Sequence, residues 1–401
     1  MRRRPPIRLI TVLLAIEFLD ELVFGAREAA WPLIRTDLGL SYSQIGLLLS
    51  APSIVGNIVE PFLGILGDVW KRRLLVLGGG FFFALALALT AASQAYGLLL
   101  VSFVLFYPAS GAFVSLSQAT LMDMEPRRRE QNMARWTFAG SLGVTAGPLA
   151  LGAAVALGAG WRGLYSLFAG LTIILVGIVL WLPDSRRIGT GENPGEQESR
   201  TEATRVENLW AGMGEAVRAL RRGEVLRWLT LLEFSDLMLD VLLGFLALYL
   251  VDVVGTTAGM AQTAVWIWLI CGLAGDLLLI PLLERVKGLC YLRLSALIEL
   301  ALFPAFLLAQ TPWIKFVLLG TLGFFNAGWY SILKARLYSV MPGRSGTVMT
   351  VGNIFGLVGG LVPLGLGVLA ERTGLGSTMW LMALGPVALL IGLPRRAPHD
   401  H

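Results

Sequence analysis

Two acidic tetrapeptides, Glu17-Phe18-Leu19-Asp20 and Glu233-Phe234-Ser235-Asp236, lie inside strongly apolar stretches. A carboxylate in the middle of an apolar helix costs about 2.5–3.5 kcal/mol on insertion scales, so it is kept where it works. With Glu21 the first set falls at i, i+3 and i+4. With Asp240 the second falls at steps of three and four. Each set therefore shares one face of a helix. Carboxylates gathered in a water-filled cavity attract cations and exchange protons. Glu60, Asp276 and Glu299 add one acid each in other apolar stretches. Arg27, two turns beyond Asp20 on the same face, is placed either to pair with it or to lie at the outer interface. Asn57, Tyr107, Asn326, Trp329 and Tyr330 are polar or aromatic side chains able to contact a ligand, the aromatics through cation–π contact.

Other chemistries find little support. The only histidines, His399 and His401, lie in the polar tail, which excludes a buried histidine base, a Ser-His-Asp triad and a His-ligated zinc site. A membrane enzyme using paired carboxylates as acid and base lacks a nucleophile–base pair. No cofactor is expected. A receptor that binds without transporting is a further alternative. A divalent metal remains open as cargo, with Glu17, Asp20, Glu233 and Asp236 as its oxygen ligands.

The elements that hold these acids are apolar and long. The chain is 56% hydrophobic and only 15% charged, with mean hydropathy +0.71, against about 25% charged in soluble domains. Twelve runs approach the roughly 20 residues that cross a bilayer. They lie at 9–33, 44–67, 74–95, 97–122, 134–158, 162–183, 225–251, 260–283, 290–310, 313–338, 347–370 and 377–394. Most contain Gly or Pro and none alternates apolar with polar, so helices are favoured over a β-barrel. Acids at 17, 20 and 21 argue against a cleaved signal peptide, and the first helix is read as retained.

The acidic tetrapeptides are separated by 216 residues (233 minus 17), and the same offset recurs. It relates Glu60 to Asp276, Asp68 to Glu284, Gln94 to Gln310, Pro126 to Pro342, and Gly140 and Gly143 to Gly356 and Gly359. The chain therefore reads as a parallel duplication of six helices. Its expected parts are an N-terminal bundle over 1–183, a cytoplasmic central loop over 184–224 and a C-terminal bundle with a short tail over 225–401. Apolar residues from Val206 to Leu220 approximate helical spacing and predict a short amphipathic surface helix.

With the N-terminus inside, 27 of the 32 Lys and Arg fall in cytoplasmic segments; only Arg27, Arg35, Arg162, Lys315 and Arg372 fall outside. The asymmetry places both termini in the cytoplasm. The sequence pI of about 9.4 reports this topology, and no nucleic-acid partner is implied. Cys271 and Cys290 supply no disulfide framework.

The loop after the second run reads Gly64-Ile-Leu-Gly-Asp68-Val-Trp-Lys71-Arg72-Arg73. It resembles the helix 2–3 motif of the major facilitator superfamily, G-x-x-x-D-R-x-G-R-R, with Val69 and Lys71 as departures. A degraded copy is Glu284-Arg285-Val-Lys287-Gly288. The resemblance implies a cytoplasmic gate in which Asp68 caps a helix end and the arginines pair between domains. Gly143-Val-Thr-Ala-Gly147-Pro148-Leu-Ala-Leu151-Gly152 is similar to the helix 5 motif of the drug:proton antiporter branch, where glycines permit close packing and Pro148 a kink. The branch's helix 4 Arg-x-x-Gln-Gly is absent; Tyr107-Pro-Ala-Ser110-Gly111 stands there instead.

The resemblance spans the chain. It implies the major facilitator fold: an all-α integral membrane protein of 12 transmembrane helices in two pseudo-symmetric six-helix bundles. It also implies alternating access around a midplane site lined by helices 1, 4, 7 and 10. The function expected is proton-coupled efflux of a cationic or amphipathic small molecule by a monomer in the cytoplasmic membrane.

Overall fold

The structure, a computed structural model, describes residues 7–69, 72–124, 129–182, 218–283, 285–341 and 345–394. The amphipathic helix expected from Val206 falls almost wholly outside these residues, as do Glu284 and Pro342. All regular elements among the described residues are helical.

Among the described residues, eleven helical spans are long and apolar enough to cross a membrane. The remaining helix, α1 (Ile7–Leu38), has 32 residues and ample length. It differs from the others in carrying the acids at 17, 20, 21 and 28 together with Arg27. The first six are completed by α2 (Tyr42–Val69), α3 (Arg72–Ala92), α4 (Tyr96–Ser110, a π turn at Gly111–Ser115, then Leu116–Met124), α5 (Arg129–Ala156) and α6 (Gly160–Trp181). In the second half, α7 joins Gly223–Asp236 to Leu242–Asp252 through a π turn at Leu237–Val241. Then come α8 (Ala258–Leu283), α9 (Gly288–Leu308), α10 (Pro312–Asn326 and Trp329–Val340), α11 (Ser345–Gly359 and Val362–Thr373) and α12 (Leu375–Met379, Trp380–Ala383 and Leu384–Gly392). The chain forms two compact units, Met1–Leu40 with Leu47–Asn208, and Ser41–Gly46 with Leu209–His401.

In the first unit, α1 packs most extensively against α5, and α3 lies against α4 and α6. Lipid tails are as apolar as side chains, so helices in a bilayer associate by close packing rather than by hydrophobic burial. Glycines make that packing possible. Gly25 faces the backbone of Val144, Gly143 faces the Phe18 carbonyl and Glu21, and Gly147 faces Gly25 and Ala26. None of the three has room for a Cβ. The helix runs on through Pro148.

In the second unit α7 packs on α8, α10 and α12, while α8 and α10 share another glycine seam. A Cβ at Gly275 would come within 2.5 Å of the Phe324 carbonyl, and one at Gly323 within 2.6 Å of the Trp268 carbonyl. Lys315, near the start of α10, is buried. Its Nζ donates to the carbonyls of Phe306 (2.6 Å) and Leu307 (3.1 Å) and to the Tyr249 hydroxyl (3.1 Å). The last carbonyls of a helix have no partner within it, and a cation there satisfies them and the helix dipole together.

Substitution within the α1–α5 seam tests this packing. Gly147→Val is expected to destabilise the detergent-solubilised protein by about 1–3 kcal/mol through overpacking. Gly78→Ala, where a Cβ meets nothing within 4 Å, is expected to leave thermal unfolding unchanged or raise it slightly. Both are read in one thermal-unfolding series.

Candidate functional site

In the first unit, α1 presents Glu17, Asp20 and Glu21 to α4 and α5. Glu17 is buried. Its carboxylate lies beside Gly140, where a Cβ would approach Oε1 to 2.8 Å, and within hydrogen-bonding reach of the Trp136 indole. Glu21 packs its stem against Gly143. Asp20 accepts a 3.0 Å hydrogen bond from the Ser110 hydroxyl. Ser110 is the last residue before the α4 π turn, and such bulges recur at functional sites. Glu60 of α2 reaches the same turn: a Cβ on Gly111 would lie 3.3 Å from Glu60 Cγ. The four acids are close enough to interact electrostatically, Glu17 with Glu21 and Asp20, and Asp20 with Glu60. Asn57 is half-buried on α2, and the Tyr107 ring lies 3.2 Å from the Cβ position of Gly56.

Arg27 is committed to a partner other than Asp20. It is buried and pairs with its neighbour Glu28, Nη2 to Oε1 at 2.6 Å. The other Glu28 oxygen accepts from Trp31 Nε1 at 3.1 Å. A salt bridge with Asp20 is therefore not formed, and the closest cation on α1 is committed elsewhere.

In the second unit, Glu233 lies against Gly359 of α11, within electrostatic reach of Lys334 on α10. Lys334 Nζ sits 5.7 Å from the centroid of the Tyr330 ring. Asp236 directly precedes the α7 π turn and Asp240 lies within it, the two carboxylates within electrostatic reach of each other. The Tyr330 hydroxyl is near both aspartates, and Tyr330 is exposed. Asn326 is buried and donates through Nδ2 to the Met238 carbonyl inside the π turn at 2.9 Å; its Oδ1 has no partner.

Asp276 is placed differently. Its Oδ1 accepts the Gly328 backbone N–H at 3.1 Å, at the break in α10. Gly328 has φ 75°, a left-handed conformation that glycine adopts at no steric cost, and the turn frees backbone groups. The Tyr291 hydroxyl donates its one proton there, 3.0 Å from the Ala327 carbonyl and 3.4 Å from that of Phe325. The α10 break and the α4 π turn were not expected. They occupy equivalent places in the repeat, since Ser110 plus 216 is Asn326. Each of these two side chains reaches the first helix of its own unit, and Glu60 and its equivalent Asp276 each stand at the distortion. Asn326-Ala327-Gly328 is a turn signal inside an apolar run, and Pro108 precedes the π turn.

Of the expected gate, Gly64 and Asp68 lie in α2, but their side chains are outside the described set. Arg72 is buried at the start of α3. Arg73 Nη2 donates to the Leu180 carbonyl at 3.0 Å, near the C-terminal end of α6 and within the same unit. Arg285 is exposed. Among the described residues, no group of three or more His, Cys, Asp or Glu side chains is arranged to hold a metal ion.

The sequence profile of the Major Facilitator Superfamily matches residues 13–364. The chain belongs to that superfamily. Its transporter fold is shared by the nucleoside transporter NupG, with a TM-score of 0.71 at 15% identity over 96% of this chain and 98% of that one. A bacterial homologue of the human lysosomal transporter Spinster gives a TM-score of 0.71 at 14% identity, over 98% and 95%. Both likenesses concern the fold. Among curated relatives, the Fosmidomycin resistance protein of Escherichia coli (strain K12) is 24% identical over 95% of this chain and 91% of its own length. The Chloramphenicol resistance protein of Pseudomonas aeruginosa is 32% identical over 43% and 41%.

The role of Asp276 is open to a direct check. Asp276→Ala removes the partner of the Gly328 N–H and is expected to cost about 1 kcal/mol in thermal stability, the usual value of a helix cap. Asp276→Asn, which keeps an acceptor oxygen, is expected to retain most of it.

Proposed function

We propose that this superfamily transporter works by alternating access and exports a cationic or amphipathic small molecule in exchange for protons. Glu17, Asp20, Glu21 and Glu60 in one unit, and Glu233, Asp236 and Asp240 in the other, are its binding and proton-carrying groups. Asn57, Tyr107, Asn326 and Tyr330 provide polar and aromatic contacts. Asp276 and the residues of the α2–α3 and α8–α9 segments serve conformational change. Gly143, Gly147 and Pro148 hold the α1–α5 seam during that change. The bundles over 1–183 and 225–401, joined by the loop over 184–224, work as a monomer in the cytoplasmic membrane with both termini inside.

One observation carries the reading. Glu17, Asp20, Glu21 and Glu60 are linked electrostatically, Asp20 and Glu60 at the α4 π turn, and the charge of the adjacent Arg27 is already matched by Glu28. That leaves an excess of acid, which a cation or protons would neutralise. The names of the Escherichia coli and Pseudomonas aeruginosa relatives support export, because a cell that expels a drug resists it.

Ethidium efflux from proteoliposomes under an imposed pH gradient tests the proposal. Asp20→Asn and Asp236→Asn are each expected to slow efflux at least tenfold, and the double variant to abolish it. Wild-type efflux by the double variant would overturn the assignment of these groups.

A further inference from the structure

Glu299, in the middle of α9, lies outside the candidate site described above. It is 0% exposed, and neither carboxyl oxygen has a hydrogen-bond partner. A buried carboxylate with neither a cation nor a donor is too costly to keep, so the group is the neutral acid. Even the neutral acid leaves a buried donor and acceptor unpaired.

The repeat shows that the fold does not require this. Subtracting 216 carries Glu299 to Phe83, Ser295 to Gly79 and Trp329 to Phe113. Phe83 is equally buried, and its ring centroid lies 4.6 Å from that of Phe106 and 5.8 Å from that of Phe113. An aromatic ring thus fills on α3 the place that α9 gives to an acid. Glu299 brings no packing advantage over an apolar residue, and an acid kept at such depth is kept for work.

Its neighbours indicate which movement that work follows. Tyr291, Ser295 and Glu299 are four residues apart and share one face of α9. Tyr291 bonds the Ala327 carbonyl, and Ser295 accepts the Trp329 indole N–H at 2.9 Å, on either side of Gly328. Glu299 is the next position on the stripe that holds the α10 break. Among the described residues no cation is placed to keep it charged. On α9 itself, Arg293 bonds the Pro394 carbonyl. The helices packed on α9 are α10 and α12. On α10, Lys315 bonds carbonyls at the end of α9, while Tyr330 and Lys334 lie beside the α7 acids. Arg336 and Tyr338 follow Trp329 by about two turns or more. The α12 helix, Leu375–Gly392, has no ionisable side chain. Tyr291 is within electrostatic reach of Glu299, and of Asp276 on α8.

We propose that Glu299 is a proton-carrying group of the second unit, buried here with its proton on. The carboxylate takes that proton from water when movement at the α10 break uncovers it. It is then buried as the neutral acid, and the next movement returns the proton to water. The inference rests on the proton-exchange reading above and adds a carrier on a helix which that reading leaves out.

Glu299→Gln and Glu299→Met, both permanently neutral, are compared with the wild type in proteoliposomes loaded with ethidium. The apolar counterpart Phe83 indicates that both variants fold. Two rates are read: efflux driven by an imposed pH gradient, and ethidium exchange at equal pH, which needs no net proton movement. A neutral side chain can be buried as the acid is, but it carries no proton. Both variants are therefore expected to lose driven efflux by about tenfold or more while exchange stays within about twofold of the wild type. Should one variant fail to exchange, the other decides. Driven efflux at the wild-type rate in a variant that exchanges would overturn the proposal and leave proton exchange standing. Loss of exchange in both variants would also overturn it, because a group that only carries protons is not needed for exchange. A wild type whose efflux ignores the pH gradient would overturn the proton-exchange reading and this inference together.

Discussion

The first unit depends on how closely α1 lies on α5. At Gly25, Gly143 and Gly147 the two backbones meet without side chains between them. In a bilayer such contact is what holds helices together, since apolar burial alone gives no preference for protein over lipid. The same contact fixes the height and rotation of the acids on α1. Glu17 fits beside Gly140, Glu21 beside Gly143, and Asp20 faces Ser110. A larger residue in the seam would displace the carboxylates as well as the helices. Packing and charge placement are thus one constraint.

The second unit meets the same demand with a different local solution. Gly359, equivalent to Gly143, stands beside Glu233, equivalent to Glu17, so the glycine–acid pairing persists with a shift of about one turn. Its distortions are sharper: α10 is broken where α4 has only a π turn, and α7 has a π turn where α1 is regular. Lys334 gives Glu233 a cationic neighbour of a kind that Glu17 lacks. The two halves share a fold while their acids sit in unlike electrostatic settings. That difference suits a division of labour between holding substrate and carrying protons.

Much of this was legible in the sequence because it rests on periodicity and rarity. Apolar run length gave the spans, and the fixed 216-residue offset revealed the duplication. The clustering of Glu17, Asp20 and Glu21 followed from helical spacing. The rest depended on contacts between elements. Nothing in the spacing of Arg27 chose between Asp20 and the interface, and the partner proved to be its sequence neighbour Glu28. The spacing that made Asp276 a candidate binding acid did not show that one of its oxygens meets the backbone N–H freed by the Gly328 turn. The carbonyls at the end of α9 that hold Lys315 likewise became visible only in the tertiary fold. The equivalence of Ser110 and Asn326 was present in the repeat, but its meaning needed the π turn and the broken helix to be seen.

The central claim is that the carboxylates clustered on α1 exchange protons for an organic cation. The most direct measurement is proton release from weakly buffered, detergent-solubilised protein during titration with tetraphenylphosphonium. The account predicts acidification that saturates together with binding in the wild type and falls sharply when Glu17 and Asp20 are both made amides. Saturable binding with no proton release, or with release unchanged in that double variant, would contradict it.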